Sequence, residues 1–345
     1  MQHFEPFSDF TIHHLRFTAV ATTPIEMGEY KGSALRGAWA GYMRQAYCGA
    51  PATVRSDPLH QATCPVCYLT SRETGSEGRR TYALQPPLSR QLRYEPGDQF
   101  TFGFTLFGNA HTLFPYLMLA VREVGESYGI GRWLPELKGR GRYQLVEMSA
   151  YNPHNGKEQI LFREPEMRVT MPTLAVTAEN IHTRAQKLSE RVGERDGALR
   201  IHFLTPLRVV HHGGLMRWFT FSFFFQRLLE RLYALGEHFD ADPDRFGKPA
   251  LRATVQRLIP LAERVQTVED QTEWWDVKGY SNRLKKPHYL GGLVGSVRLV
   301  SDDWPELLPY LLWGQSVQLG KNVVKGGGWF EIGETNNEER ITRNE

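Results

Sequence analysis

LGGLVGSVRLVSDDWPELLPYLLWGQSVQLGKNVVKGGGWFEI, residues 290–332, holds a strand, a helix, a glycine-rich loop and a second strand in that order. Residues 290–300 are apolar, rich in Val and Leu and interrupted by glycines, which reads as a strand with close backbone approaches. Residues 304–312 have helical spacing, with Pro305 in the first turn where a missing N–H costs nothing. Residues 314–328 form a basic, glycine-rich connection, and 329–332 a closing strand. Upstream, residues 199–210 (LRIHFLTPLRVV) read as a strand, 220–239 as a Phe-rich helix and 251–264 as a second helical stretch. The first half of the chain has the same order of parts. Residues 11–20 (TIHHLRFTAV) alternate as a strand, and a turn over 29–32 leads into a helix over 33–47 with Ser33 as its N-cap. A polar loop over 71–80 follows, then a strand over 99–107, a helix over 111–128, a basic glycine-rich connection over 129–141 and a closing strand over 142–150. This order, met twice, predicts an α+β chain of two tandem ferredoxin-like domains, each with helices on one face of an antiparallel sheet and a glycine-rich loop before its final strand. The expected division is 1–176, with a cysteine-containing insertion, and 198–333, separated near the charged segment 177–197. Residues 334–345 (ETNNEERITRNE) have almost nothing to bury and read as a disordered tail.

The 345 residues are long for one domain and comfortable for two of about 150 each. A hydrophobic fraction of 41% is enough for real cores, and the 23% charged fraction is that of an ordinary soluble protein. The net charge of +3 is compatible with a polyanionic partner without demanding one. Eight Trp, fourteen Tyr and nineteen Phe make aromatics plentiful; most are expected in cores, yet aromatics among basic residues are also what single-stranded RNA binders stack bases on. The first ten residues carry Glu5 and Asp9, and the most apolar run, 218–225, is broken by Thr220 and Ser222. No signal peptide or membrane span is expected, and the cytoplasm is the expected compartment.

Three ordered stretches carry a resemblance: WDVKGYSNR (275–283), LGGLVGSV (290–297) and LGKNVVKGGGWF (319–330). FLTPLR (203–208) and SALRGAW (33–39) add to it upstream. Together with the doubled layout they resemble the CRISPR-associated RAMP superfamily, and within it the endoribonucleases that process precursor crRNA. In that family the final loop commonly reads apolar-Gly-Lys-Gly-Thr-Thr-x-Gly-x-Gly. This chain keeps Gly320, Lys321, Gly326 and Gly328 in step and has Asn322 where the second glycine is common. The resemblance implies an RRM-like, RAMP type of ferredoxin-like fold and a cytoplasmic RNA-binding protein. Its partners would be the precursor repeat stem-loop and mature crRNA, with other CRISPR effector subunits as further partners and no membrane.

The residues agree with that implication. Glycines at 320, 326, 327 and 328 would let backbone amides approach a phosphate, with Lys321 and Lys325 supplying charge. The alternative is a tight turn with incidental lysines. Arg283, Lys285 and Lys286 form a second basic cluster, and Arg140 and Arg142, between Gly139 and Gly141, a third. A nucleotide-binding P-loop is excluded, since no G-x-x-x-x-G-K-[ST] occurs, and a strand rather than a helix follows Gly328.

The family cuts RNA without metal. The ribose 2′-hydroxyl attacks the scissile phosphate and leaves a 2′,3′-cyclic phosphate, which calls for a base, an acid and a cation for the phosphorane charge. Many relatives place a histidine in the first helix. Here the matching position is Arg36, a permanent cation suited to clamping charge and unsuited to accepting a proton. Candidates for proton transfer are His211 and His212 beside Gly213, His14 on the first strand, of which one of His13 and His14 should face the core, and Tyr42, with Tyr30 and Tyr47 near the same helix. Two readings follow: an endoribonuclease that stays on the guide 3′ end, or a catalytically silent subunit that binds and caps crRNA.

Three cysteines, an odd number, do not make a disulfide framework. Cys64 and Cys67 form a C-x-x-C, with His60 four residues before it and Cys48 sixteen before it, which is the composition of a structural Cys3His zinc site. The alternative is that the cysteines serve as small buried hydrophobes. No cofactor is expected for catalysis.

Overall fold

A computed structural model describes residues 7–51, 53–70, 80–166, 168–194, 197–211, 213–281 and 286–333. In the first half, β1 (Ile12–Ala21), β2 (Ile25–Glu26), α1 (Lys31–Tyr47), α2 (Pro58–Thr63), α3 (Pro65–Thr70), β3 (Tyr82–Gln85), β4 (Arg93–Tyr94) and β5 (Gln99–Phe107) come first. They are followed by α4 (Phe114–Glu123), β6 (Ile130–Leu134), β7 (Gly139–Gly141), β8 (Tyr143–Tyr151), β9 (Glu158–Arg163) and α5 (Ala178–Gly193). The second half begins with β10 (Ala198–Leu207), the short pair β11 (Val210–His211) and β12 (Gly214–Leu215), α6 (Phe221–Phe239) and α7 (Lys248–Arg264). It ends with β13 (Gln266–Asp270), β14 (Glu273–Trp275), β15 (Lys278–Ser281), β16 (Lys286–Tyr289), β17 (Gly292–Val300), α8 (Trp304–Val317) and β18 (Phe330–Gly333).

The two main sheets are antiparallel and share one order. The first runs β3-β5-β1-β8 with β9 added at its edge, and the second runs β13-β17-β10-β18 with β14 on the end of β17. In each, the first strand is central and flanked by the third and fourth, the ferredoxin-like arrangement. Alternation in β1 sends Leu15, Phe17 and Ala19 into one core with Leu35 and Trp39 of α1 and Leu117 and Val121 of α4. Alternation in β10 sends Leu199, Ile201 and Phe203 into a second core with Phe224 and Leu228 of α6 and Leu307 and Leu311 of α8. Each Leu, Ile, Val or Phe among them contributes about 1.5–3 kcal/mol on full burial.

Four expectations need correction. Ser33 is not an N-cap: α1 begins two residues earlier, after Tyr30, with no side-chain cap. The connection 129–141 is an ordered hairpin, β6 with β7, and β8 is followed by β9 on the outer edge of the sheet. The charged segment 177–197 contains a four-turn helix, α5. Thr177 caps its start in a reciprocal box with Asn180, and Ile181, Ala185, Leu188 and Val192 bury one stripe in the second core. The apolar residues are only five in sixteen, so the stripe is masked by the charges around it. Both His13 and His14 are buried, because the other face of β1 is closed at that end by His154, whose Nε2 lies 2.8 Å from Ser316 Oγ of α8. The loop expected over 71–80 and the tail over 334–345 lie, apart from Arg80, outside the described residues.

The halves join through chemistry as well as packing. Phe7 and Phe10 pack on Trp313 of α8 as tilted rings with centroids 5.6 and 5.5 Å away, and Gln318 Nε2 donates to the Leu84 carbonyl at 3.0 Å. The glycine-rich loop after α8 is wedged between the two halves. Gly32 of α1 lies so close to the Lys325 carbonyl that a Cβ would not fit, and Gly326, at φ 89°, rests on Pro86. Among the described residues no helix is long and apolar enough to cross a membrane.

Candidate nucleic-acid interface

The glycine-rich loop is held by its own backbone. The N–H of Lys321 donates to the Arg208 carbonyl just after β10 and that of Gly328 to the Pro206 carbonyl at its end, at 2.8 and 3.0 Å. The N–H groups of Lys325, Gly326 and Gly327 donate to Asn322, Val323 and Asn322 within the loop. These five amides are therefore spent inside the fold rather than presented to a phosphate. The glycines answer backbone geometry: Gly320, Gly326 and Gly328 have φ of 94°, 89° and 69°, and Gly328 lies against Leu319 with no room for a Cβ. Asn322 takes φ 68°, a conformation asparagine tolerates better than most side chains. Lys321 is exposed, and Lys325 is half-buried at the contact with α1.

Beside this loop lies a groove of about 490 Å³, between the start of α1 and residues 86–92 on one side and β10, β14 and β17 on the other. Lys31 sits in its floor, buried, and its ammonium donates to the Ser89 carbonyl. Burial pushes the Lys31 amine below its ordinary value. Glu29, Arg90, Glu273 and Trp275 also line the groove, as does Gly326 of the loop. The second half also carries basic and aromatic residues outside the groove lining. Arg217 lies 4.7 Å from the Trp274 ring and Arg208 6.0 Å from it, while Trp218 is 75% exposed. A volume in the range of ligand sites, a buried cation and open aromatic faces can hold a phosphate and a stacked base.

Among the described residues, the catalytic and RNA-binding candidates singled out from sequence are not gathered in one place. Arg36 is half-buried on α1, with no partner for its Nε, and is not among the groove-lining residues. Arg44, two turns on, is lowered by burial and then by the like charges of Arg36 and Arg55, so these three arginines form a cluster of their own. His14 is fully buried with Nδ1 2.9 Å from Thr105 Oγ1, and desolvation holds it down at about 3, where a substrate cannot reach it. Tyr42 packs edge-on to Tyr47 and Tyr128 at 5.9 and 5.8 Å. Burial, followed by Tyr42 itself, pushes the Tyr47 phenol up to about 12. Arg140 is exposed on β7, but its guanidinium donates to the Gly131 carbonyl of its own hairpin; Arg142 is exposed beside it. Lys286 pairs with Ser281 through its backbone, and His211 with Gly214. The side chains of His211 and Lys286, and His212, Arg283 and Lys285 altogether, lie outside the described residues. Lys31 was missed. Its only sequence signal was a lysine in the turn before a helix, and the burial that gives it meaning comes from residues 58 positions away.

Cys48, His60, Cys64 and Cys67 do come together, with their ligand atoms all within 4.8 Å of one another. Cys48 is the C-cap of α1. Asp57 caps α2 by accepting from the His60 N–H, which fixes His60 in the first turn. Cys64 ends α2, donating its N–H to the His60 carbonyl, and accepts from Tyr68 as α3 begins, so Cys67 falls one turn later. Burial raises the Cys48 thiol, but hydrogen bonding from the Ala50 backbone, His60 and the other thiols outweighs it and leaves Cys48 at about 7. Burial and the contact with Cys48 push Cys67 up to about 12.

The profile of the CRISPR-associated endoribonuclease Cas6 matches residues 201–330, and an N-terminal domain profile, AF_1859_N, matches residues 10–174. No curated protein matches the chain. Among solved structures, a partial Cas6-RT-Cas1–Cas2 complex matches 96% of this chain at a TM-score of 0.59 and 13% identity. The chain spans 48% of that protein's length, and 30% of the chain in a second such complex. A Cas6 product complex matches at a TM-score of 0.53 and 14% identity over 93% of this chain and 99% of its own. Thermus thermophilus Cas6 matches at 0.52 and 12% over 94% and 98%. These likenesses bear on the fold; the profile over 201–330 covers the β10 to β18 module that carries the glycine-rich loop. Two sheets of one order, a loop locked between them and this profile mark the β10–β18 half, residues 201–330, as a Cas6-like module.

Proposed function

We propose that the protein binds the repeat stem-loop of precursor crRNA across the groove between its halves and cleaves it by 2′-hydroxyl attack, then stays on the guide 3′ end. The observation that carries this reading is the buried Lys31 ammonium in the floor of a groove lined by the glycine-rich loop of a Cas6-type module. The nucleophile belongs to the substrate, so no metal-bound water is required. What the protein must supply is in-line geometry and a positive charge where the phosphorane forms, while the 2′-hydroxyl proton passes to solvent water as the bond from phosphorus to the 5′-oxygen breaks. Lys31 supplies that charge, and its lowered affinity for a proton suits it to protonating the leaving oxygen. Trp275 gives a face for a base, and Lys321, Arg90, Arg208 and Arg217 take the flanking phosphates. Any metal at Cys48, His60, Cys64 and Cys67 would have four protein ligands and no open position, so it stands outside the reaction. The two domains are assigned to residues 1–176 and 198–333 on the sheet division, with α5 bridging them.

A second reading has its own support. Arg36 stands where a histidine is common, and no histidine is among the described residues lining the groove. In that reading the chain binds and caps crRNA without cutting, within a larger CRISPR assembly. Incubation with the repeat RNA of its own locus in EDTA separates the two. One cut with a 2′,3′-cyclic phosphate end, lost in Lys31→Met and partly restored in Lys31→Arg, is the expected result. Tight binding with the RNA intact would favour the capping role.

A further inference from the structure

We propose that Cys48, His60, Cys64 and Cys67 hold one structural zinc ion that fastens the C-terminal end of α1 to the α2–α3 insertion. The argument is geometric. Zinc takes thiolates at about 2.3 Å and imidazole nitrogen at about 2.0–2.1 Å in a tetrahedron, whose edges are then about 3.8 Å between sulfurs and about 3.5 Å between sulfur and nitrogen. Cys48 Sγ lies 3.7 Å from Cys67 Sγ and 3.5 Å from His60 Nε2. A disulfide needs its sulfurs at about 2.05 Å, so the 3.7 Å separation fits a shared ion and not a bond. The four ligands come from three helix ends with a separate backbone device for each: the C-cap of α1, the Asp57-capped first turn of α2 and the Cys64 junction into α3.

The donor set selects the metal. Three thiolates and one imidazole in a tetrahedron suit zinc, while calcium and magnesium want oxygen. Cys48 and Cys67 are buried, and His60 and Cys64 are half-buried, so the ion has a dry side and a path of entry. Three thiolates on a divalent ion leave a net charge of about −1. That charge falls beside Arg44, which has no carboxylate partner among the described residues and feels Cys67 as a favourable neighbour. The site is independent of the RNA-binding reading, since none of its four residues lines the groove.

The test is metal analysis of the full-length protein, followed by cobalt exchange. One equivalent of zinc per chain is expected. Cobalt should give the intense visible bands of a tetrahedral site with thiolate charge transfer, and chelation should lower the melting temperature. Cys64→Ser, at a half-exposed helix junction, should weaken zinc by more than the ten- to hundred-fold that loss of a supporting group costs. A chain that stays metal-free after reconstitution with zinc, or a cobalt spectrum without thiolate bands, overturns the proposal. So does recovery of a Cys48–Cys67 disulfide, or full zinc retention by Cys48→Ser/Cys67→Ser. RNA affinity measured on the same samples reports separately on the groove.

Discussion

Lys31 and His14 show how burial gives a residue its chemistry. Lys31 gains its role because it is buried with its ammonium on the Ser89 carbonyl, and nothing within the α1 sequence announces that. Lys31→Met should lower the single-turnover cleavage rate at least ten-fold, about 1.4 kcal/mol of transition-state stabilisation, with a smaller effect on affinity. Equal rates in both proteins would remove Lys31 from the site. His13, His14 and His154 are held neutral by burial, at about 4, 3 and 3. The unfolded chain takes up protons at these groups below about 6.5 while the folded chain does not, so stability is complete above that pH and is lost as the pH falls toward 4 and 3. Between pH 6.5 and 5 each should cost about 2 kcal/mol. Urea unfolding at the two values should show a shallower loss in His14→Gln than in wild type, and identical slopes would mean His14 is not neutral. From sequence, alternation on β1 pointed one histidine inward; the second was buried by Thr105, Tyr151 and His154, residues some 90 to 140 positions away that no local pattern encodes.

At the scale of elements, strands and helices with strong periodicity were legible, among them β1, α1, β5, α6, β17 and α8. What was not legible was α5, whose narrow apolar stripe hides among charges, and the short edge strands β3, β9 and β13, set by pairing rather than by composition. The α5 cap is testable: Thr177→Ala should cost about 1 kcal/mol by denaturant unfolding, and no loss would mean the box with Asn180 does not form in solution. The glycine-rich loop was read as an amide cradle, but its amides are bonded to Arg208, Pro206 and the loop itself. Glycine clusters look alike in sequence whether they receive a ligand or make a tight turn. Gly328→Ala would force a Cβ at φ 69° into the Leu319 carbonyl. Strain of about 1–2 kcal/mol from the left-handed backbone plus that collision should lower the melting temperature well beyond an exposed control such as Gly37→Ala. A melting point unchanged from wild type would show that the loop is free to move.

At the scale of the molecule, the duplicated order of elements was visible because each half repeats the same periodicities. The groove was not, because it exists only once Gly32, Pro86 and Gly326 meet across the two halves. The cysteine cluster was visible for the opposite reason: its ligands lie within twenty residues of one another on consecutive helices. The central claim is that RNA lies across the joint. The direct measurement is the affinity of the full chain for its own repeat RNA over a series of salt concentrations, for wild type, Arg90→Ala/Trp275→Ala and the distant control Arg257→Ala. The account predicts a linear fall of log affinity with log salt, of slope about −0.7 per phosphate contacted in single-stranded regions. It also predicts a loss of at least ten-fold, with a shallower slope, in the groove variant, and wild-type behaviour in the control. Salt-independent affinity, or a groove variant that binds like wild type, would contradict it.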